Sequence, residues 1–464
     1  MNRAVARTLS ITMMLPCTVP AAALDRKPPA QDLRPEPSVP ETITCRPNRT
    51  CDISSSSVPS KLGTLQRRLD EKLSELPLSV EDFRGGRCAG ASDDTCAVKA
   101  AVAAACTAGG IEVRLARATY AISDTLTMPS TCSNVWFHGV SAQGTILNST
   151  ALAKPIVSVS GTGNRVSSVY LAYAGKPQAG AAALAFVGAH NSLADNFAAY
   201  NVDIGVSVTD SSSATFLNNF QIYNYFSVGV FSRQTNDVFV SNFVFNTPAQ
   251  RNYGTLGGLR LVNQVEAFTM MNGDILGGAY SMTTDAATNA TGSRPAYNKF
   301  VNVYFDSSLY GVSLGNTVLT DFANCWFSAG RSGGGYAGVT LGSTDSISFT
   351  AGTTFFNNGM DGALVNATAK RTVFNGVHAE GNSATAASGV GHGIHIAAGT
   401  TDFIITNSTG SNALNPSGKQ GYAIRLDPGA SDRYTIQGNL VSGNVTGGVS
   451  DGGTGTNKLV QGNW

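Results

Sequence analysis

A two-part pattern of apolar and polar positions recurs along the chain from about residue 156 onwards. The first part is a glycine followed by an apolar residue, any residue and a second apolar residue. It occurs as GVSV from 205, GVFS from 229, GLRL from 258, GVSL from 311, GVTL from 338, GALV from 362 and GIHI from 393. The second part is an asparagine ahead of an apolar or aromatic run, as in NFAAYN from 196, NFQIYN from 219, NFVFN from 242, NVYFD from 302 and NCWFS from 324. Each part predicts a short strand next to a turn that needs positive φ.

The length of this repeat drifts between about 19 and 34 residues. A unit this short cannot close a core by itself, so successive units must stack on one another. A β-sandwich would also have short strands, but it would not repeat the same two parts in register. The pattern therefore predicts an all-β solenoid of roughly eleven coils over residues 135–460.

Extra residues enter the repeat after the asparagine strands, at 247–257, 328–337, 381–392 and 411–420. Because coils stack about 4.8 Å apart, insertions at one corner predict a wall along one side of the rod. A second kind of insertion, at 282–298, is expected at another corner. The first two walls carry Arg251, Tyr253, Arg331 and Tyr336, which we predict to bind substrate. The alternative is that these are ordinary polar loops.

Three of the five histidines lie near the third insertion, in or just before GVGHGIHI. His392 precedes Gly393 just as Asp361 precedes Gly362, which places Asp361 and His392 on neighbouring coils about 5 Å apart. His378 and Glu380 are two residues apart in a strand and so face the same way. We predict these four residues, Asp361, His378, Glu380 and His392, to be catalytic, because carboxylates beside imidazoles can act as general acid and base.

One coil further on, YAIRLD aligns Arg425 with His395, and both are predicted to bind substrate. The other acids, among them Asp274, Asp306 and Asp321, are scattered along the sequence. Asp306 is nevertheless expected at the corner where the insertions form the wall. If the chemistry lies elsewhere, Asp306 and the Arg331 loop are the first alternatives. The sequence contains no metal-ligand spacing, phosphate loop or nucleophile elbow, so no cofactor is predicted. A few acids could bind Ca²⁺, but no acid cluster marks such a site.

The composition narrows the class of protein. Only 13% of the 464 residues are charged and 51 are glycine, which is typical of a turn-rich β protein. The net charge is +1 and no basic run stands out, which makes nucleic acid an unfavourable partner.

The N-terminal segments differ from the repeats. Residues 1–23 combine a basic start, a short apolar core and AAA, as in an export signal. We therefore expect a secreted, periplasmic or cell-surface protein with no membrane contact after signal removal. Residues 24–59 are proline-rich and predict a linker. Residues 60–78 carry leucines at spacings of three and four, which predicts an amphipathic helix that packs on the main domain (80–464) or forms a short coil, as in a homotrimer.

Removal of the signal would leave seven of the eight cysteines. In an oxidising compartment six of them could form three bridges, and neighbour pairing gives Cys45–Cys51, Cys88–Cys96 and Cys106–Cys132. Six cysteines allow fifteen pairings, and the spacing does not choose among them. The seventh, Cys325 in FANCWFS, is expected to be a buried small apolar residue.

The stretch that starts at DFRGG resembles the entry segment of the pectate-lyase-like superfamily of right-handed parallel β-helices. It contains DDT, an alanine-rich helix, GG, a strand, a TY pair and HG followed by GT, over roughly 65 residues. The superfamily includes rhamnogalacturonase-like and epimerase-like enzymes and phage tailspike depolymerases. The resemblance implies this fold, with the helix as a cap.

GHG at 391–393 is also similar to an element of the polygalacturonase-type hydrolases, and Arg425 in IRLD partly resembles their later arginine element. The sequence departs from that family in lacking its upstream NTD and DD elements, which hold the catalytic acids. We expect an exported enzyme that cleaves a polysaccharide by hydrolysis or elimination. The alternatives are a non-catalytic carbohydrate-binding or cell-surface β-helix and a uronic-acid epimerase.

Overall fold

The repeats wind into an all-β, right-handed parallel β-helix in the computed structural model, which describes residues 57–58, 67–68, 76–85, 88–250, 252–284, 293–329, 336–413 and 419–464. Each coil contributes one strand to each of three parallel sheets, which we call columns A, B and C. About twelve coils stack, close to the roughly eleven predicted. The predicted fold class is confirmed.

The three columns contain these strands. Column A includes Leu78–Ser79, Glu112–Arg114, Trp136–His138, Arg165–Ser167, Val318–Ala323, Asp345–Thr350, Lys370–Asn375, Thr401–Thr406, Asp432–Gln437 and Lys458–Gln461. Column B includes Thr119–Ile122, Ile146–Ser149, Tyr170–Tyr173, Trp326–Ala329, Thr354–Phe356, His378–Glu380 and Thr409–Ser411. Column C includes Leu126–Met128, Val157–Thr162, Ala182–His190, Gly257–Glu266, Met282–Thr284, Val312–Leu314, Val339–Leu341, Ala363–Val365, Ile394–Ile396, Tyr422–Gly429 and Gly447–Gly453. Strands that continue round corners are Leu193–Thr209, Ser213–Asn246, Thr269–Leu276 and Lys299–Ser308.

Phenylalanines stack inside the rod. In column A the rings of Phe300, Phe322, Phe349 and Phe374 follow one another with centroids 4.8, 5.1 and 5.0 Å apart. A second stack in column B contains Phe305, Phe327 and Phe355. All are buried, and burial of one such side chain stabilises the fold by about 2–3 kcal/mol. Because equivalent positions of successive coils carry the same residue type, the core is continuous along the rod.

The corner between columns A and B is a tight turn. Its residue adopts left-handed backbone angles in successive coils, at Asn196, Asn219, Asn242, Asn272, Asn302 and Asn324, with φ between 50° and 57°. Asparagine tolerates this conformation better than other residues with a side chain, because its amide bonds locally to the backbone. The predicted need for positive φ is confirmed at the asparagine motif and is wrong at the glycine motif, where only Gly311 of the seven glycines has positive φ.

The corner between columns B and C accommodates the long loops. They span 247–256, 330–338, 381–393 and 412–421, whereas three residues suffice between Ile122 and Leu126. All four join a column B strand to a column C strand, so the prediction that they enter at one corner is confirmed. The other insertion lies between Met282–Thr284 of column C and Lys299–Ser308, at a different corner as predicted.

An α-helix, Thr95–Thr107, follows a short 3-10 helix, Val80–Phe83, at the N-terminal end of the β-helix. Its buried face, which includes Val98, Ala101 and Ala105, belongs to the same core as the first coils. The predicted capping helix is therefore confirmed. Two disulfides hold this end together, Cys88–Cys96 and Cys106–Cys132, and both match the neighbour pairing. The third proposed pair, Cys45–Cys51, lies outside the described residues, and Cys325 is a buried free thiol.

Residues 60–78 were predicted to form an amphipathic helix. The described residues of this span include Arg67–Arg68, which is a short strand paired antiparallel with Ser57–Val58, and Leu78, which begins a strand. These positions are therefore not helical, because their backbones are extended. The rest of the span up to residue 75, together with the predicted signal and most of the linker, lies outside the described residues. Within the described part of the chain, no helix has the length and apolar character needed to cross a membrane.

Candidate functional site

A groove of about 850 Å³ runs along the outward side of column B. One edge is the A/B corner with its asparagines, and the floor is formed by outward side chains of successive coils. The floor residues lie in register from coil to coil: Ala198, Gln221, Val244, Asp274 and Tyr304. Residues 141–143 also contribute to its lining. Because it follows the column, the groove is elongated parallel to the rod.

Two carboxylates lie on adjacent strands of this face. Register pairs Asp274 with Tyr304, and Leu276 with Asp306, so Asp274 and Asp306 are diagonal neighbours on the same side of the sheet. Strand spacing and the rise per residue place such diagonal positions roughly 8 Å apart. Both side chains are partly exposed. Side chains that leave one face from backbone positions this far apart can bring their carboxyl groups to opposite sides of one bond.

Asp274 and Asp306 differ in their surroundings. Burial, assisted by the negative charge of Asp306, raises the pKa of Asp274 to about 6. Its Oδ1 atom is buried and has no hydrogen-bond partner in the described protein. Asp306 accepts a hydrogen bond from Ser307 Oγ at 3.1 Å. Asp274 is therefore suited to hold a proton that it can donate, and Asp306 is suited to accept one.

Aromatic side chains continue the same face beyond the two acids. The rings of Tyr304 and Trp326 are 6.3 Å apart, and those of Trp326 and Phe356 are 5.0 Å apart. Tyr304 is 47% exposed, which leaves its ring free to contact a ligand. Flat apolar rings next to polar groups are suited to stacking on sugar faces, because sugars present C–H groups on one side and hydroxyls at the rim.

Four of the residues predicted from the GVGHGIHI region meet at the B/C corner, together with Asp427. We call this group, Asp361, His392, His395, Arg425 and Asp427, the corner cluster. The Asp361 carboxylate accepts the His392 backbone N–H at 2.8 Å, which confirms that they lie on neighbouring coils. It also lies 3.1 Å from His395 Nδ1. Arg425 is in register with His395, as predicted, and donates to Asp427 at 3.1 Å.

The pKa values of the two histidines of the corner cluster are shifted in opposite directions. Burial lowers the pKa of His392 to about 4, and Arg425 and His395 add to this effect. Burial also acts to lower the pKa of His395, but Asp361 and Asp427 outweigh it, so the pKa of His395 is raised. His395 Nε2 lies 3.1 Å from Asp427, although its angle is not that of a hydrogen bond. His395 thus lies between two carboxylates that favour its protonated form.

The contacts of His392 leave little freedom to its ring. Its Nδ1 lies 3.2 Å from the Tyr422 backbone N–H, and its Nε2 lies 3.1 Å from Arg425 Nη1. Both neighbours are donors, whereas a neutral imidazole has one acceptor nitrogen, so only one of these contacts is a hydrogen bond. His392 is 1% exposed and Asp361 2%. Neither side chain therefore has surface for a polymer to contact.

Glu380 and His378 lie on a different face from His395 and Arg425. They project outward from column B, whereas His395 and Arg425 project from column C. Glu380 is 7% exposed and accepts from Ser411 Oγ at 2.6 Å, while His378 is exposed and contacts Thr409. Asp361, Glu380 and His392 are all buried, so these three predicted residues do not open onto a common cleft. A catalytic role for the predicted residues stays a prediction.

The predicted wall aromatics belong to a larger group at the B/C corner. Tyr253 stacks on Phe226 with centroids 5.3 Å apart, and Tyr336 packs edge-on against Tyr310 at 4.5 Å. Tyr280, 4.8 Å from Tyr310, extends the group by one coil. Substrate binding by Tyr253 and Tyr336 stays a prediction. Arg251 and Arg331 lie outside the described residues.

Asp274 and its partnership with Asp306 were missed by the sequence analysis. Both follow an asparagine of the A/B corner, Asp274 by two residues and Asp306 by four. Alignment of those asparagines places both acids outward on adjacent coils, and this was the available signal. Among the described residues, no three His, Cys, Asp or Glu side chains are grouped so that they could hold a metal ion.

Comparison with known proteins supports the fold. No protein-family model matches the sequence, and no curated protein is similar to it in sequence. Among solved structures, tailspike protein 3 of bacteriophage CBA120 is similar over 86% of this chain and 64% of its own, with 16% identity and a TM-score of 0.54. The Agl-KA catalytic domain is similar over 83% of this chain and 68% of its own, with 17% identity and a TM-score of 0.51. At these identities the likeness establishes that the chain has the parallel β-helix fold.

Proposed function

We propose that this protein is an exported glycoside hydrolase that cleaves a polysaccharide lying along the column B groove. The observation that carries the proposal is the Asp274–Asp306 pair, two carboxylates on adjacent coils, of which Asp274 has a raised pKa. A solved catalytic domain with the same fold and the two disulfides of the N-terminal cap are compatible with it.

In this mechanism Asp274 is the general acid and Asp306 the general base. Asp274 gives its proton to the glycosidic oxygen as the bond from that oxygen to the anomeric carbon breaks. Asp306 takes a proton from a water molecule whose oxygen bonds to the same carbon. A spacing of roughly 8 Å leaves room for that water, which is the geometry of inverting glycosidases. We therefore expect inversion at the anomeric carbon.

The test is digestion of a panel of bacterial and plant polysaccharides by the wild type, Asp274→Asn and Asp306→Asn. Hydrolysis releases reducing ends, whereas elimination by a lyase also produces absorbance from unsaturated uronates. The matched control is Asp321→Asn, which removes an acid from column A. Retention of full turnover in both groove variants would contradict the proposal. Glu380→Gln belongs in the same series, because Glu380 lies further along the same face.

The second candidate is a non-catalytic carbohydrate-binding β-helix. The exposed ring of Tyr304 and its aromatic neighbours favour it, because stacking on a sugar needs no proton transfer. Binding to a polymer without release of reducing ends or unsaturated products would support this candidate. Altered uronic-acid stereochemistry without chain cleavage would instead indicate an epimerase.

A further inference from the structure

The edge of the column B groove is a ladder of side-chain amides. Asn302 Nδ2 donates to Asn272 Oδ1 of the preceding coil at 3.0 Å, and Asn324 Nδ2 donates to Asn302 Oδ1 at 3.4 Å. Asn242 Nδ2 instead donates to Asn218 Oδ1 at 2.9 Å. An amide has two N–H donors and two acceptor lone pairs, and these contacts use only part of that capacity. The exposed remainder faces the groove, where Gln221 adds a further amide.

Amides in such an array repeat at the strand spacing of about 4.8 Å. A polymer that lies along the rod therefore meets one donor and acceptor pair at every coil. Hydroxyl groups also donate and accept, so they match amides in both roles. An ionised carboxylate or sulfate only accepts, so it could use the remaining N–H groups of the ladder but not the second lone pair of each amide oxygen.

The charged side chains of the groove also disfavour an anionic polymer. Asp274 is the charged side chain of its lining, and Asp306 lies on the adjacent strand of the same face. No lysine or arginine is found among the described residues that line the groove. Lys299, close in sequence to the floor, belongs to column A. A uronate polymer would bring its carboxylates next to these acids without a cation to offset the repulsion.

We infer that the groove binds a neutral polysaccharide, one rich in hydroxyls and free of uronate and sulfate groups. This inference rests on the proposed function for the location of the ligand, and it adds the chemical class of that ligand. It also separates the chemistries, because elimination and C5 epimerisation both start from a uronate, whose carboxyl group acidifies the neighbouring C–H bond.

The test is binding of the full wild-type chain to immobilised polymers at low temperature, where cleavage is slow and both acids are retained. Neutral probes are galactomannan, xyloglucan and dextran, and anionic probes are polygalacturonate, alginate and hyaluronan. We expect binding to at least one neutral polymer, and at least tenfold weaker binding to every anionic one at low and high salt. Gln221→Ala should weaken the neutral binding several-fold.

A charge-introducing pair of variants makes the test sharper. Gln221→Lys places a cation on the floor and should give salt-sensitive binding to an anionic probe, whereas Thr269→Lys on column A should not. Preference of the protein for an anionic polymer, or binding to none of the six, would overturn the inference. Failure of the hydrolase proposal would give a different result from failure of this inference. The Asp274→Asn variant would then cleave as fast as the wild type, whichever polymer the groove binds.

Discussion

The groove of column B and the corner cluster both contain carboxylates, but they differ in how those carboxylates are satisfied. In the corner cluster Asp361 is buried, accepts a backbone N–H and lies 3.1 Å from His395 Nδ1. In the groove Asp274 has a buried oxygen without a partner and a second acid nearby. Satisfied charges hold a structure together, whereas an unsatisfied acid with a raised pKa is able to react. The comparison teaches that the partners of a titratable residue indicate its role better than the density of such residues in the sequence.

The largest expected difference between the two regions is in turnover. Asp306→Asn and Asp274→Asn should each lower kcat at least ~100-fold on the polymer that the wild type cleaves, because each removes a proton-transfer group. Folding should be retained, since both side chains are partly exposed. The comparison would break if Asp361→Asn or Glu380→Gln, folded by circular dichroism, lost activity to this extent while the groove variants did not.

The next largest difference is in stability. Asp361→Ala should lower the free energy of unfolding by about 3–5 kcal/mol, because it removes the acceptor of the buried His392 N–H and one of the two carboxylate partners of His395. Asp321→Ala, an exposed acid on column A, should change it by less than about 0.5 kcal/mol. Urea denaturation at neutral pH measures both. Equal stability of the two variants would show that the corner cluster does not fasten its coils.

The pH dependence of Asp274 gives a smaller effect of known sign. Its pKa in the folded state, about 6, exceeds the ordinary aspartate value, so the folded protein holds an extra proton between these values. Stability from this group is present below about pH 4 and is lost as the pH rises through about 6. Asp274→Asn should therefore be more stable than the wild type at about pH 8, by on the order of 1–2 kcal/mol, and similar to it near pH 4.

The same group sets an expectation for activity. As the general acid, Asp274 must be protonated, so kcat should fall as the pH rises through about 6. A pH–rate profile of the wild type measures this limb. An activity that rises through pH 6 and stays high at pH 8 would assign the acid to another residue.

The smallest expected signal is the protonation of the two corner histidines. Near pH 6 the His395 ring should be protonated and the His392 ring neutral, because the former pKa is raised and the latter is about 4. Their contributions to stability have opposite signs: that of His395 is lost as the pH rises through its folded pKa, and that of His392 is lost as the pH falls from about 6.5 to about 4. Ring ¹⁵N chemical shifts distinguish the two, and identical titration of both rings would contradict the assignment.

Much of the architecture could be predicted, since the repeat determines it. Glycine and asparagine spacing predicted the coils, the positive-φ corner and the side on which the loops stand, because register carries one coil's geometry to the next. Contacts within one corner were also accessible, as for Asp361 with His392 and Arg425 with His395. Local register cannot show burial, however, and the predicted Asp361 and His392 are only 2% and 1% exposed.

The groove pair could not be recognised as a pair for a related reason. Asp274 and Asp306 are 32 residues apart and follow their asparagines at different offsets, so a search for like positions on successive coils separates them. Their shared face emerges only when both outward positions of each column B strand are compared. The raised pKa of Asp274 depends on burial, which the pattern of residue types did not reveal.

The proposed catalytic pair depends on a single junction between two adjacent coils, whereas asparagines occupy the A/B corner in at least six coils. The position of the acid pair and the length of the surface available to a polymer can therefore vary independently in this architecture. Duplication of a whole coil ahead of Asn196 would lengthen the surface available to a polymer without moving Asp274 relative to Asp306. Related β-helices could therefore differ in the number of sugar units that they bind and in their residence time on one polymer, while the proposed acid pair stays the same.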